Sequence, residues 1–154
     1  MTAGEAHASR GTERLGFLLA RHGAITNARL RHVLALTGLG PRHGMALTRL
    51  AETGSVTQQG LLEALGVDAS VLVTLLNDLE GAGLVRRRRD PADRRRHIVE
   101  ITPDGSTALE RVDAAVEQVE RDLFADLTTD QVRQLHRLLS RVRTSVNDPA
   151  CAED

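Results

Sequence analysis

Residues 79–105 read LEGAGLVRRRRDPADRRRHIVEITPDG, and they predict a basic β-hairpin placed directly after a helix. The small residues at 81–83 end the helical pattern, since glycine is common just past a helix C-terminus. Residues 84–89 and 96–102 are typical of short strands, the second with alternating apolar positions. The segment 90–93, Asp-Pro-Ala-Asp, is typical of a turn, because proline presets φ and the Asp side chain forms a hydrogen bond with its own backbone. An arginine cluster therefore lies on the hairpin and its tip.

The charge of this hairpin stands out from the rest of the chain. Between Arg86 and Arg96, seven Arg face two Asp, a net charge of +5 on a chain whose total is −1. Concentrated positive charge on an acidic body indicates a polyanion-binding element. A short charge run considered alone is more often a solvated loop. The elements around the run therefore have to decide between these two interpretations.

Length and composition limit the class of protein. The 154 residues predict a single domain, and 41% hydrophobic with 27% charged residues is typical of a folded one. Aromatics are 1%, so the core is built from Leu, Val and Ala, which favours helices. No apolar run reaches the ~18 residues of a membrane span, and residues 1–5 do not resemble a secretory signal. One Cys excludes an internal disulfide and a cysteine-based zinc site. We expect a cytoplasmic protein without membrane contact, metal or other cofactor.

Apolar spacing predicts helices on both sides of the hairpin. A first helix covers about 13–36, a second begins at Pro41, a short third follows Thr57 as N-cap, and a fourth follows Asp68. Long apolar stripes over about 104–147 predict two further helices, the last starting near Thr128. The tails 1–11 and 148–154 are expected to be flexible. The predicted fold is mainly α with a small β-wing.

The order of these elements predicts a winged helix-turn-helix over about 41–102. In such a lobe the second helix of the pair enters the major groove of double-stranded DNA. The hairpin, or wing, follows the backbone, and an Arg at its tip fits the narrow minor groove, where the negative potential is enhanced.

Three linked motifs extend this prediction. Residues 79–87 (LEGAGLVRR), 90–96 (DPADRRR) and 101–105 (ITPDG) resemble, in order and spacing, the L-E-x-x-G-L-V-x-R, D-P-x-D-x-R and L-T-x-x-G string of the MarR family of bacterial transcription regulators. The resemblance covers about residues 15–146. It implies a homodimer whose terminal helices, about 13–36 and 104–147, form the interface. It also implies regulation relieved by a small aromatic or anionic effector.

The resemblance also implies roles for wing residues. Arg95 matches the minor-groove finger, and Asp93 orients the wing by pairing with a strand Arg. Arg94 and Arg96 flank the finger near phosphates. Arg86, Arg87 and Arg88 are further candidate DNA contacts, and for each of them mere solvation of the wing is an equally good interpretation.

The recognition helix departs from the family pattern, because no basic residue lies between Asp68 and Glu80. Ser70, Thr74 and Asn77 share one face at i, i+4 and i+7, and Asn pairs well with adenine. Solvation of this face is a nearly equal alternative for the two hydroxyl residues. Other candidates lie at the start of the preceding helix and would reach phosphates: Gln58 and Gln59.

A ligand site is predicted less sharply. His22 and Arg29 lie on the apolar stripe of the first helix, where polar groups need a partner, and His43 adjoins Gly44 on the second. A pocket lined by these four residues would suit an anionic or aromatic-acid effector. For each of them, the favoured alternative is an interface residue whose polar groups are hydrogen-bonded within the dimer. Zinc is a poor fit, since no His pair has i, i+4 spacing.

The sequence thus predicts a dimeric, ligand-responsive DNA-binding regulator, a repressor by preference, that binds a pseudo-palindromic operator. The runner-up is a winged-helix protein–protein module without sequence-specific DNA binding, favoured by the acidic residue in the recognition helix. An enzyme has little support, because no nucleophile elbow, carboxylate-pair motif or phosphate loop is present.

Overall fold

The computed structural model describes residues 14–143. Its helices are α1 (Leu15–Leu34), α2 (Pro41–Thr53), α3 (Gln58–Leu65), α4 (Ala69–Gly81), α5 (Pro103–Leu123) and α6 (Thr129–Leu139). Its strands are β1 (Ser55–Thr57), β2 (Val85–Arg89) and β3 (His97–Ile101), and they form an antiparallel sheet of order β1-β3-β2. The mainly α fold with a small β-wing is confirmed. The predicted flexible tails and the ends of the outer helices, at residue 13 and at 144–147, lie outside the described residues.

The winged lobe has one leucine-rich core. Helices α2, α3 and α4 and the sheet enclose its fully buried side chains, which include Leu47, Leu50, Leu61, Leu76, Leu79 and Val99. Val99 pairs in register with Val56 on one side and Arg87 on the other. Its burial therefore ties both neighbouring strands of the sheet to the helical core.

Local chemistry explains where most helices begin. The Thr57 hydroxyl accepts from the Gly60 N–H at 3.0 Å, as the predicted N-cap of α3. Thr128 and Gln131 form the predicted capping box of α6. Asp68 occupies the N-cap position of α4, but its side chain makes no capping hydrogen bond, which corrects that expectation.

Two helices end earlier than their apolar patterns suggest. α1 stops at Leu34 and tightens into a 3-10 turn over Ala35–Thr37, because the Thr37 hydroxyl donates to the Leu34 carbonyl at 2.6 Å. α6 ends at Leu139, whereas the predicted apolar stripe extends to about residue 147. Side-chain competition for backbone groups, which apolar spacing does not register, accounts for the end of α1.

Hydrogen bonds and close packing hold the start of α5 against the wing. The Thr102 hydroxyl accepts from the Gly105 N–H at 3.0 Å and donates to the Gly83 carbonyl at 2.7 Å. A Cβ on Gly105 would lie 2.0 Å from the Leu84 carbonyl oxygen, so only glycine allows this approach. The T-x-x-G motif thus joins β3, α5 and the end of the loop that follows α4.

The outer helices leave apolar surface uncovered. In α1 only Leu34 is buried, while Leu15 and Phe17 are 76% and 62% exposed. α6 has no buried residue, and Leu138 and Leu139 are about half exposed. Within residues 14–143 no single helix is both long and apolar enough to span a bilayer; α3 and α4 reach that size only as a pair, bent by 112°.

Candidate DNA-binding surface

Helices α3 and α4 form the helix-turn-helix. Gly66 adopts a left-handed conformation, φ +60°, and lets the chain turn sharply between them. α4 directs four leucines into the core, namely Leu72, Leu75, Leu76 and Leu79. Its opposite face is exposed and carries Ser70, Val73, Thr74 and Asn77. The Thr74 hydroxyl donates to the Ser70 carbonyl at 3.1 Å. Thr74 therefore presents its methyl group and acceptor lone pairs.

The wing tip is shaped by its two aspartates. Asp90 Oδ1 accepts from the Ala92 N–H at 2.9 Å, and Asp93 Oδ1 accepts from the Arg95 N–H at 3.0 Å. These side chain-to-backbone bonds replace the pairing that a strand would provide. Asp93 also lies 3.5 Å from the Arg96 Nε, so its ion pair is within the tip and not with a strand Arg. Asp93 orients the wing through the backbone.

Three of the wing arginines form ion pairs within the protomer, and two of them share one carboxylate. Arg86 and Arg88 both contact Glu100 on the facing strand, at 2.9 and 2.7 Å. These hydrogen bonds, the one from Arg86 first, hold the pKa of the Glu100 carboxyl below its usual range. Arg87 instead reaches back to Glu80 on α4, and its hydrogen bond lowers the pKa of that carboxyl.

The remaining cations are at the outer end of the wing. Within residues 14–143, no carboxylate lies within ion-pair distance of Arg89, Arg94 or Arg95. Arg94 and Arg95 were predicted as DNA contacts. Arg89 is not among the predicted contacts, although its position directly before the turn residues Asp90 and Pro91 is a sequence signal for the outer end of the wing.

The N-terminus of α3 faces the wing across a cleft. This cleft, about 440 Å³, is lined by Gln58, Gln59, Arg95, Arg96 and His97 among others. The structure therefore brings the two predicted glutamines to the predicted wing arginines. The Gln59 amide donates to Glu63 at 3.1 Å within the helix, whereas Gln58 also lines a second recess beside Arg88 and Arg89.

The four predicted ligand residues do not meet. His22 and Arg29 are exposed and share one face of α1, half a helical turn away from Asn27 and Arg31. It is Asn27 and Arg31 that face His43 across a cavity of about 670 Å³. Gly44 points the other way, where a Cβ would lie 2.9 Å from a Val112 methyl carbon, so it serves close packing.

The cavity between α1, α2 and α4 is basic at one end. Arg31, Arg42 and His43 line it, and α4 contributes Ser70, Thr74 and Asp78 among others. The His43 Nδ1 accepts from the Gly40 N–H at 3.0 Å, so in the neutral ring Nε2 carries the proton. That nitrogen lies 3.3 Å from Asp78 Oδ2. His43 therefore connects the start of α2 to the recognition helix.

Comparison with known proteins identifies the family. A family model described as "MarR family" matches residues 37–96, the helix-turn-helix together with β2 and the wing tip. The putative transcriptional regulatory protein for the hcr operon of Thauera aromatica is 36% identical over 138 residues, covering 88% of this chain and 82% of that protein. The chain belongs to the MarR family of transcriptional regulators.

Solved structures of MarR-family proteins agree in fold. A mutant MarR from E. coli complexed with operator DNA aligns with a TM-score of 0.76 at 25% identity, covering 87% of this chain and 96% of that one. CouR from Rhodococcus jostii RHA1, bound to p-coumaroyl-CoA, aligns with a TM-score of 0.75 at 31% identity, covering 83% and 90%. This chain is thus a DNA-binding transcriptional regulator, and its recognition helix carries no basic residue.

Proposed function

We propose that this chain is a homodimeric, effector-responsive repressor that binds a pseudo-palindromic operator. The observation that carries the proposal is the wing tip, where Arg94 and Arg95 lack carboxylate partners among the described residues and Arg95 lies across a cleft from the start of α3. In this arrangement α4 enters the major groove and Arg95 the adjacent minor groove. Neighbouring backbone phosphates lie within reach of Arg94 and Gln58, and Arg96 is held beside them by its ion pair with Asp93.

Homodimerisation is supported by the apolar surface of the outer helices. Leu15 and Phe17 on α1 and Leu138 and Leu139 on α6 are exposed, and no residue of α6 is fully buried in its own protomer. An amphipathic helix without a partner is stabilised by burying that face in a second copy. We propose that the two copies place their α4 helices about one DNA turn apart, roughly 34 Å.

Effector response is supported by the cavity between α1, α2 and α4. Arg31 and Arg42 supply positive charge, and Val71 and Leu75 supply apolar walls, which suits an aromatic acid or another amphipathic anion. CouR, a structural relative, binds p-coumaroyl-CoA, which has both chemical features. Because Ser70 and Thr74 of the recognition helix also line this cavity, an effector there competes with DNA. That competition favours a repressor that is released by its effector.

The protein–protein module is the less favoured function, because the wing tip is charged and shaped as DNA binding requires and because the family is one of transcriptional regulators. We assign no catalytic role to the chain and place it in the cytoplasm with its DNA.

Selection from a random duplex library tests the proposal. The full chain is expected to enrich an inverted repeat whose half-sites are centred about 10 base pairs apart. Sedimentation equilibrium at micromolar concentration is expected to give the dimer mass, and Phe17→Asp to give the monomer, while Val73→Gln on α4 leaves the dimer intact. Enrichment of no sequence, or a monomeric wild type, would overturn the proposal.

A further inference from the structure

One hydrogen-bond network links the recognition helix to the wing. Arg87 on β2 donates from Nε to Glu80 Oε2 at 2.9 Å and from Nη2 to Asn77 Oδ1 at 2.8 Å, and its backbone N–H reaches Glu80 Oε1 at 3.3 Å. Nη2 also contacts Glu80. Asn77 and Glu80 are three residues apart on α4 and therefore share a face. The side chain of Arg87 is only 24% exposed.

This network fixes the orientation of the Asn77 amide. A guanidinium has donors and no acceptor, so the amide group that faces Arg87 has to be the oxygen. The Asn77 side chain is exposed, and with Oδ1 held at the wing, its NH₂ group is the end that remains for the groove. An unrestrained Asn offers both ends and pairs with adenine through N7 and N6.

We propose that Arg87 is a positioning residue that makes Asn77 select guanine in place of adenine. Guanine presents two acceptors in the major groove, N7 and O6, and both match an amide NH₂. Adenine presents N7 beside an N6 donor, which needs the amide oxygen that Arg87 occupies. The inference rests on the proposed DNA-reading role of α4 and adds the base that it reads.

Arg87 is suited to this role because Glu80 keeps it in place. A carboxylate at the DNA surface is repelled by phosphates, and Arg87 neutralises it through two side-chain nitrogens. Moving Arg87 to a phosphate would leave Glu80 uncompensated beside the backbone. Arg87 therefore contributes to specificity and not to the count of phosphate contacts.

The test uses the enriched operator and three variants of the full chain. Glu80→Gln/Arg87→Gln removes both charges together, so that net charge is unchanged, and releases the amide. Asn77→Ala removes the side chain that contacts the base. The variant with all three substitutions completes a double-mutant cycle. Binding is measured by anisotropy of labelled duplexes in which each base pair of one half-site is changed in turn. The position where Asn77→Ala loses discrimination is the one that Asn77 reads.

We expect the wild type to favour guanine over adenine at that position by roughly five- to tenfold, the size of one hydrogen bond. Glu80→Gln/Arg87→Gln is expected to reduce this preference below about twofold, to keep the salt dependence of binding, and to have no effect on preference when Asn77 is already Ala. A wild-type preference for adenine, or an unchanged preference in the double variant, overturns this inference alone. Enrichment of no operator overturns the proposed function with it.

Discussion

The dependence of operator affinity on salt concentration reports how many arginines contact phosphates. Three arginines per wing have no carboxylate partner within residues 14–143, which makes six per dimer: Arg89, Arg94 and Arg95 of each protomer. With about 0.9 counterions released per neutralised phosphate, the wings give a slope of log K against log salt of about −5. If all seven arginines of each wing contacted phosphate, the slope would be about −13.

The assay is anisotropy of a dye-labelled operator between 50 and 200 mM salt, since the chain has no Trp for intrinsic fluorescence. We expect affinity to fall about 10³-fold over that range, against more than 10⁷-fold for fourteen contacts. Arg94→Gln is expected to flatten the slope by about 2, one contact per wing. Arg86→Gln, which removes the same charge from an arginine already paired with Glu100, is the matched control and is expected to flatten the slope less than Arg94→Gln does.

Arg95 adds a minor-groove contact to its charge, so Arg95→Ala is expected to cost about 1–3 kcal/mol per protomer as well as flattening the slope. A slope near −13, or equal flattening by Arg86→Gln and Arg94→Gln, would refute the division of the wing into paired and free arginines. Unchanged affinity of Arg95→Ala at every salt concentration would show that the wing is not the anchor.

Three further predictions concern stability and ligand binding. Gly105→Ala places a methyl group against a backbone carbonyl and is expected to cost at least about 1–3 kcal/mol of stability, measured by circular dichroism melting. In the control Gly81→Ala the methyl group meets open space, so the substitution is expected to be neutral or stabilising. Equal losses of stability in the two variants would refute the close-approach argument. Because the pKa of Glu100 is lowered in the folded state, its ion pairs contribute stability above the ordinary pKa of 4.5. This contribution is lost as the pH falls through the lower folded-state pKa. In urea titrations from pH 7 to pH 3, Glu100→Gln is therefore expected to lose less stability than the wild type. Aromatic carboxylates that raise the wild-type melting temperature are expected to lose that effect in Arg31→Gln and to keep it in Arg29→Gln, and the reverse result would move the effector site to the other face of α1.

The sequence by itself determined the order and type of the elements, because the signals that set them are local. Thr57 and Thr128 cap their helices through backbone groups three residues away. Asp93 shapes the wing tip through a bond to a residue two positions on. Motifs of this length keep their meaning in any tertiary context, and three of them in sequence specified the winged lobe.

Tertiary structure alone decided which charges are free and which residues share a cavity. Arg86 pairs with Glu100 because the antiparallel register places them opposite one another, and Arg87 meets Glu80 because the chain folds back onto α4. The lining of the cavity between α1, α2 and α4 depends on the rotation of α1 about its axis, which places Arg31 in the cavity and Arg29 outside it. Packing of the whole core sets the strand register of the wing and the rotation of α1. The run of seven arginines therefore could not predict the register, and the apolar stripe of α1 could not predict the rotation.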